Sequence, residues 1–376
     1  MEVVFNKPYI TRREMHHYTQ VALYGKMSGN GEYTRMCHEF FESRFGFKKV
    51  FLTTSCTDAL EMSAILCNIQ PGDEVIMPSF TFVSSANAFV LRGATIRFAD
   101  TYINYPNIDP IAIEQLITQK TKAILVVHYG GVACNMDAVM EIANRHNLLV
   151  VEDAAHAIDS YYKGKPLGSI GHFGTFSFHE TKNIICGEGG MLVVNDDRYI
   201  KRAEIIWEKG TDRAAFYRGE VNKYGWKDIG SSFLPSEIIA ATLYAQLESF
   251  DEIQSMRKKL WELYDHKLKP LEEEGLLKLA HIPDYASKNG NMFFILTKSA
   301  EERSRLIKFL RNKGIHAVFH YLPLHSSDFY KDKHEGRDLP NTDRFSDCLL
   351  RLPFFNEMKE EEVDYVAGAI HRFYFK

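Results

Sequence analysis

The sequence predicts an α/β fold: a large N-terminal part built on a mostly parallel sheet, then a smaller C-terminal α+β part. Three observations point there. From about residue 50 to 200, short apolar runs alternate with stretches of helical periodicity. Several of those runs, LLVV (148–151) among them, are apolar at every position, as suits strands covered on both faces. After about residue 245 the texture shifts to charged helices separated by short apolar runs. A chain of 376 residues is long enough for two such units.

Taken in order, the expected strands are Val50–Leu52, Glu74–Met77, Thr95–Phe98, Ala123–Val127, Leu148–Val151, Phe173–Phe178 and Met191–Val194. Helical spacing lies between several of them, as in Asp58–Cys67 and Asp137–Arg145. Phe250–Glu274 reads as a long amphipathic helix, with Ile253, Met256, Leu260, Leu263 and Leu268 on or near one face. A strand at Met292–Leu296, a helix at Ala300–Lys313, a strand at Ile315–Phe319 and a final helix near the C-terminus complete the list. The boundary is placed near 247–251, dividing the chain into 1–248 and 249–376, and no Gly/Pro/Ser-rich spacer marks it.

Composition narrows the function. Lys and Arg total 45 against 49 Asp and Glu, without blocks of like charge, so neither nucleic acid nor an anionic membrane is expected as a partner. The first residues lack the apolar core of a signal peptide, and no apolar run is long enough to span a bilayer. The 6 cysteines include no CxxC pair, which fits reduced thiols in a cytoplasmic protein better than a disulfide framework. HExxH is absent and the 15 histidines show no metal-ligand spacing, so no metal is expected.

Three segments can carry chemistry. In LTTSCTDALEMSAIL (52–66) a strand runs through small hydroxyl residues into a helix start at Asp58 and Glu61. Such a turn aims backbone N–H groups and the positive end of a helix dipole at one point, which suits a phosphate. It is equally the pattern of a plain capped helix. In LLVVEDAAHAID (148–159) two carboxylates follow the end of an interior strand, where open α/β sheets bind ligands. Asp153 there either caps the next turn or meets a protonated ring nitrogen, since a buried carboxylate needs a cation. In FGTFSFHETKNIICGEGGMLVVN (173–195), Lys182 follows Ser177 by five residues and precedes the turn Gly187-Glu188-Gly189-Gly190. A lysine among small residues can be partly desolvated, which lowers its pKa and makes it nucleophilic; an exposed loop lysine is the ordinary alternative. Together, the anion cradle at Thr57, the carboxylate at Asp153 and the amine at Lys182 meet the requirements of pyridoxal 5'-phosphate (PLP), with Phe82 available to stack on its ring.

These stretches, with SGNGEYT (28–34), SCTDALEM (55–62), PGDEVIMPSFTFVSSANA (71–88), VHYGGVACNMD (127–137), FSFHETKN (176–183), GEGG (187–190) and HYLPLH (320–325), resemble the DegT/DnrJ/StrS sugar aminotransferases over nearly the whole chain. Within that family the segment 202–232 is most similar to dTDP-4-amino-4,6-dideoxygalactose transaminases. The resemblance implies the aspartate aminotransferase-like fold type I, in which 1–248 is the large PLP-binding domain and 249–376 the small one. It implies a homodimer with active sites at the interface, and L-glutamate and a nucleotide sugar as substrates. The product would be a dTDP-4-amino-4,6-dideoxyhexose for surface polysaccharide or O-antigen.

By motif, Lys182 would form the Schiff base, Asp153 would pair with the pyridine nitrogen and His156 would lie near the phenolic oxygen. Phe82 would stack on the ring, and Cys56, Thr57 and Ser177 would grip phosphate. Where the family commonly places an Asn that reaches the neighbouring subunit's phosphate, this chain has Ser232, a donor of shorter reach. Lys223 and Tyr224, with Tyr129, His320 and Tyr321, are the candidate substrate contacts. A sugar dehydratase of the same fold would have lost the lysine. A 3-keto sugar aminotransferase and a non-catalytic sensor are the remaining alternatives.

Overall fold

The computed structural model describes residues 1–24 and 26–375, leaving aside the side chain of Tyr24. Seven strands form the main sheet: β1 (Val50–Thr53), β2 (Glu74–Pro78), β3 (Thr95–Ala99), β4 (Thr121–Val127), β5 (Leu149–Asp153), β8 (Phe173–Ser177) and β9 (Gly190–Val194). A hairpin of β6 (Tyr161–Tyr162) and β7 (Lys165–Pro166) lies between β5 and β8 in the chain. The spatial order is β1-β9-β8-β5-β4-β2-β3, parallel throughout except that β9 runs against both of its neighbours.

The unbroken apolar runs are explained by what each face meets. Along β4, Ala123, Leu125 and Val127 join one hydrophobic cluster while Ile124 and Val126 join another. Val75 and Met77 of β2 likewise separate from Ile76. Side chains alternate across a strand, so two apolar layers demand apolar residues at every position. The carboxyl ends of β5 and β8 then bring Asp153 and Ser177 to one edge of the sheet.

Beyond the Phe250–Glu273 helix, a three-stranded antiparallel sheet orders β10 (Lys278–Leu279), β11 (Phe294–Leu296) and β12 (Leu349–Arg351). It packs with the Ala300–Arg311 and Glu360–Tyr374 helices around Leu306, Leu310, Ile295, Val366 and Ile370. The expected strand at 315–319 does not form. Ile315 bridges Val3 and Val318 bridges Arg351, one residue each, so the segment passes between two partners without building a ladder. Phe80 and Tyr129 from the large sheet's edge pack with Phe294, Leu296, Phe345 and Leu349 from the C-terminal part.

Candidate active site

The cradle begins where β1 ends. Ser55 caps the Cys56–Leu66 helix, its Oγ accepting from the Asp58 N–H at 3.1 Å. The N–H groups of Cys56 and Thr57 lie in the first turn and have no acceptor within the helix. Both residues line a cavity of about 560 Å³, so the positive end of the helix opens into it. Thr57 Oγ1 donates to Ser84 Oγ at 2.8 Å, which holds the hydroxyl at the rim. Opposite, β9 starts at Gly190, where a Cβ would sit 2.3 Å from the Ser55 carbonyl carbon and 2.4 Å from the Cys56 nitrogen. Only glycine lets that strand run so close to the cradle.

Asp153, at the end of β5, is buried. Its Oδ2 accepts from Ser85 Oγ at 2.7 Å and its Oδ1 from the Ala155 N–H at 3.2 Å. Burial raises its carboxyl pKa despite these bonds. A cationic N–H in the cavity would offset that cost. Its neighbour Glu152 points to the other face of the sheet, where it accepts from His128 Nε2 at 2.9 Å and from the backbone N–H groups of Gly168, Ile170 and Gly171. The two adjacent carboxylates therefore do different things, one facing the cavity and the other fastening the loop after the hairpin.

Lys182 lies in the loop between β8 and β9 and lines the same cavity. Burial lowers its pKa to about 8, while the Cys56 and Asp153 side chains oppose that shift. At pH 7 a group with such a pKa is about one-tenth neutral amine, some two orders of magnitude more than an ordinary lysine. Its neighbour Asn183 anchors the loop, donating to Gln254 Oε1 and the Asn289 carbonyl at 2.9 Å each and accepting from Asn291 Nδ2 at 2.9 Å.

The opposite wall comes from the C-terminal part. His320 and Tyr321 stack with ring centroids 3.7 Å apart, and Tyr321 lies parallel to His156. Burial pushes the pKa values of His156 and His320 well below the ordinary imidazole value. Tyr129 is buried behind this wall, its hydroxyl 2.5 Å from His320 Nδ1. Arg351, at the end of β12, closes the wall with Asn291 and Phe354.

An anion-binding helix terminus, a buried carboxylate and a nucleophilic amine around one cavity suit PLP, and comparison with known proteins bears on the same point. Residues 8–371 match the DegT/DnrJ/EryC1/StrS aminotransferase family. This chain belongs to that family. The spore coat polysaccharide biosynthesis protein SpsC of Bacillus subtilis (strain 168) is 32% identical over 375 residues, 97% of this chain and 95% of SpsC. Among solved structures, the aminotransferase TlmJ of Streptoalloteichus hindustanus superposes with a TM-score of 0.90 at 26% identity, covering 98% of each chain. The PLP form of Spr1654 from Streptococcus pneumoniae gives 0.88 at 26% identity over 98% of this chain and 97% of that one, and a PMP form of the same protein is also similar. The protein is a PLP-dependent aminotransferase with the expected fold.

Of the residues singled out in the sequence, Cys56, Thr57, Phe82, Asp153, His156, Ser177, Lys182, His320 and Tyr321 line the one cavity of this aminotransferase. Tyr129 touches it only through His320. Ser232, Lys223 and Tyr224 are exposed elsewhere and are not brought to it within this chain. Sequence reasoning missed Ser84, Ser85, Asn291 and Arg351. The two serines stand inside PSFTFVSSAN, where a pair of hydroxyls beside the proposed stacking Phe82 was the available signal. Asn291 and Arg351 had none, because they arrive through contacts of the small sheet.

Proposed function

We propose that this aminotransferase moves an amino group from L-glutamate to a nucleotide-linked 4-keto-6-deoxy sugar. In this reading dTDP-4-dehydro-6-deoxy-D-glucose becomes a dTDP-4-amino-4,6-dideoxyhexose for surface polysaccharide or O-antigen. The observation that carries it is the placement of the Lys182 amine, with its pKa lowered to about 8, in one cavity with buried Asp153 and the open helix terminus. The choice of sugar rests on the likeness of residues 202–232 to dTDP-4-amino-4,6-dideoxygalactose transaminases. SpsC, named for polysaccharide biosynthesis, supports the same area of metabolism. A cavity of about 560 Å³ lies within the range of pockets that enclose ligands of this size.

Bound PLP supplies an aldehyde and an electron-accepting ring that stabilises negative charge on the carbon next to the transferred nitrogen. The chain's own groups do the rest. The Cys56 and Thr57 N–H groups and the hydroxyls of Thr57 and Ser177 hold the phosphate, and Phe82 covers one face of the ring. Asp153 keeps a proton on the ring nitrogen, and Ser85 holds its carboxylate in line. Lys182 acts first as the nucleophile that anchors the cofactor and then as the base and acid that moves a proton at the reacting carbon. A positioned proton-transfer group of this kind contributes about 10²–10⁴-fold. His156 and His320, held neutral by burial, serve as hydrogen-bonding groups near the substrate.

The reading includes a cytoplasmic homodimer divided at residues 248/249. Trp226 and Tyr217 are 86% and 68% exposed, on the stretch that carries Lys223, Tyr224 and Ser232. A partner subunit covering that patch would account for its apolar surface and would bring these three residues to the partner's cavity.

Lys182→Ala tests the core of the reading. The variant should bind PLP without the visible absorbance of a lysine Schiff base and lose turnover by at least about 10⁴-fold, since nucleophile and proton carrier go together. Wild-type turnover in that variant would overturn it. Incubation of the wild type with L-glutamate and the dTDP-4-keto sugar, with the product assigned by NMR coupling constants, tests the substrate and distinguishes gluco from galacto product.

A further inference from the structure

Two permanent cations line the cavity, Lys182 and Arg351, and only Lys182 is used above. Arg351 stands at the end of β12, at the register position where Phe294 pairs with it. Among the described residues its guanidinium has no carboxylate partner. Its Nη2 approaches the Phe319 carbonyl at 3.5 Å, its Nε is buried without any hydrogen bond, and its cation rests 4.8 Å from the Phe5 ring centroid. A guanidinium carries five N–H donors and stays charged, so holding one at a cavity wall with most donors unused is costly unless an anion arrives.

The charges around it indicate which anion. Arg351 acts electrostatically on Lys182, His156, His320 and Tyr321, the groups around the amine. The charges that act on Cys56 at the phosphate cradle are those of Asp153, Lys182 and Asp58. Arg351 therefore belongs to the reacting end of the cavity. An anion there must be attached one bond from the reacting carbon. The α-carboxylate of an amino acid meets that condition, whereas the diphosphate of a nucleotide sugar is separated from the keto carbon by the hexose ring. A planar guanidinium also matches a carboxylate through two parallel hydrogen bonds.

We infer that Arg351 is the α-carboxylate subsite for the amino donor. It rests on the aminotransferase reading for its first half-reaction and adds the residue that selects an amino acid over a simple amine. The subsite reads one carboxylate, so a donor's side chain is left to other contacts.

The PLP-loaded wild type, Arg351→Gln and Arg351→Lys, each checked for the same visible cofactor absorbance, are mixed with L-glutamate or with its α-amide, and loss of that absorbance is followed in a single turnover. In Arg351→Gln the half-saturating glutamate concentration should rise about 30- to 100-fold, with the limiting rate changed by less than about fivefold. The preference for glutamate over the α-amide should fall towards one, and Arg351→Lys should recover part of it. Glutarate, which cannot react, should bind Arg351→Gln about tenfold or more weakly than wild type in calorimetry. If the wild type reacts with a different amino acid instead of glutamate, the glutamate reading fails, while the amide comparison with that donor still decides for or against Arg351. Unchanged half-saturation by the donor in Arg351→Gln, or a defect confined to the nucleotide sugar, overturns the inference.

Discussion

The two walls of the cavity are built by opposite strategies. The wall from the main sheet takes its residues from strand ends and the turns just after them: Ser55 after β1, Asp153 on β5, Ser177 on β8 and Lys182 before β9. Each sits within a few residues of an element that a periodic sequence announces. The other wall takes Asn291, His320, Tyr321 and Arg351 from three separate stretches, assembled by single bridges such as Val318 with Arg351 and by the β11–β12 pairing. Local chemistry can be read where one strand–turn–helix supplies it. Where long-range pairing assembles it, the residues look like ordinary core and loop positions.

The sheet-derived wall should be the more sensitive to changes of charge. Asp153→Asn keeps shape and the Ser85 bond but removes the negative charge that holds a proton on the ring nitrogen. Turnover should fall about 10²–10³-fold with PLP still bound, as read by kcat alongside the cofactor absorbance. A fall of less than about tenfold would show that Ser85 and the surrounding dipoles suffice without the charge. That result would remove the sharpest distinction between the two walls.

A smaller effect, read per unit of pH, concerns Lys182. With a pKa of about 8, its acylation rate in the cofactor-free enzyme should rise about tenfold per pH unit up to about 8 and level above it. Peptide mass spectrometry after timed labelling gives that profile. A rate still climbing to pH 10 would mean that the amine is solvated. The sign also bears on stability. Between about 8 and the ordinary lysine value of 10.5 the unfolded chain binds more protons at this position than the folded one, so this group's contribution to stability rises with pH across that window.

Most of the fold and half of the site were legible because the physics was local. Ala123–Val127 is apolar at every position since two layers bury it, and that pattern is visible without the structure. The failure at 315–319 has the same root. ILE, ALA and VAL residues of IHAVF have strand character, yet the backbone divides its pairing between Val3 and Arg351 on the way to His320, and no propensity records that division. Arg351 was missed for the reason that makes it informative: nothing near it in sequence says that its nearest ring is Phe5, more than three hundred residues away. Ser85 was missed although it contacts Asp153, because a contact across 68 residues leaves no spacing signal.

The weakest effect is expected from the region that neither wall includes. Lys223 and Tyr224 lie on the exposed stretch that also carries Trp226 and Tyr217, outside the cavity of their own chain. If Lys223 reaches a partner's nucleotide, it acts as one flexible ammonium on a diphosphate at a solvated rim, worth roughly 1 kcal/mol or less. Lys223→Ala should then raise KM for the nucleotide sugar about three- to fivefold, leave kcat and the glutamate half-reaction unchanged, and lose its effect as ionic strength rises. The salt dependence is the part that discriminates, since a partly exposed ion pair is screened while a contact inside the cavity is not. A KM effect that persists at high salt would place Lys223 in a desolvated site formed by two chains, a third wall that no single subunit contains.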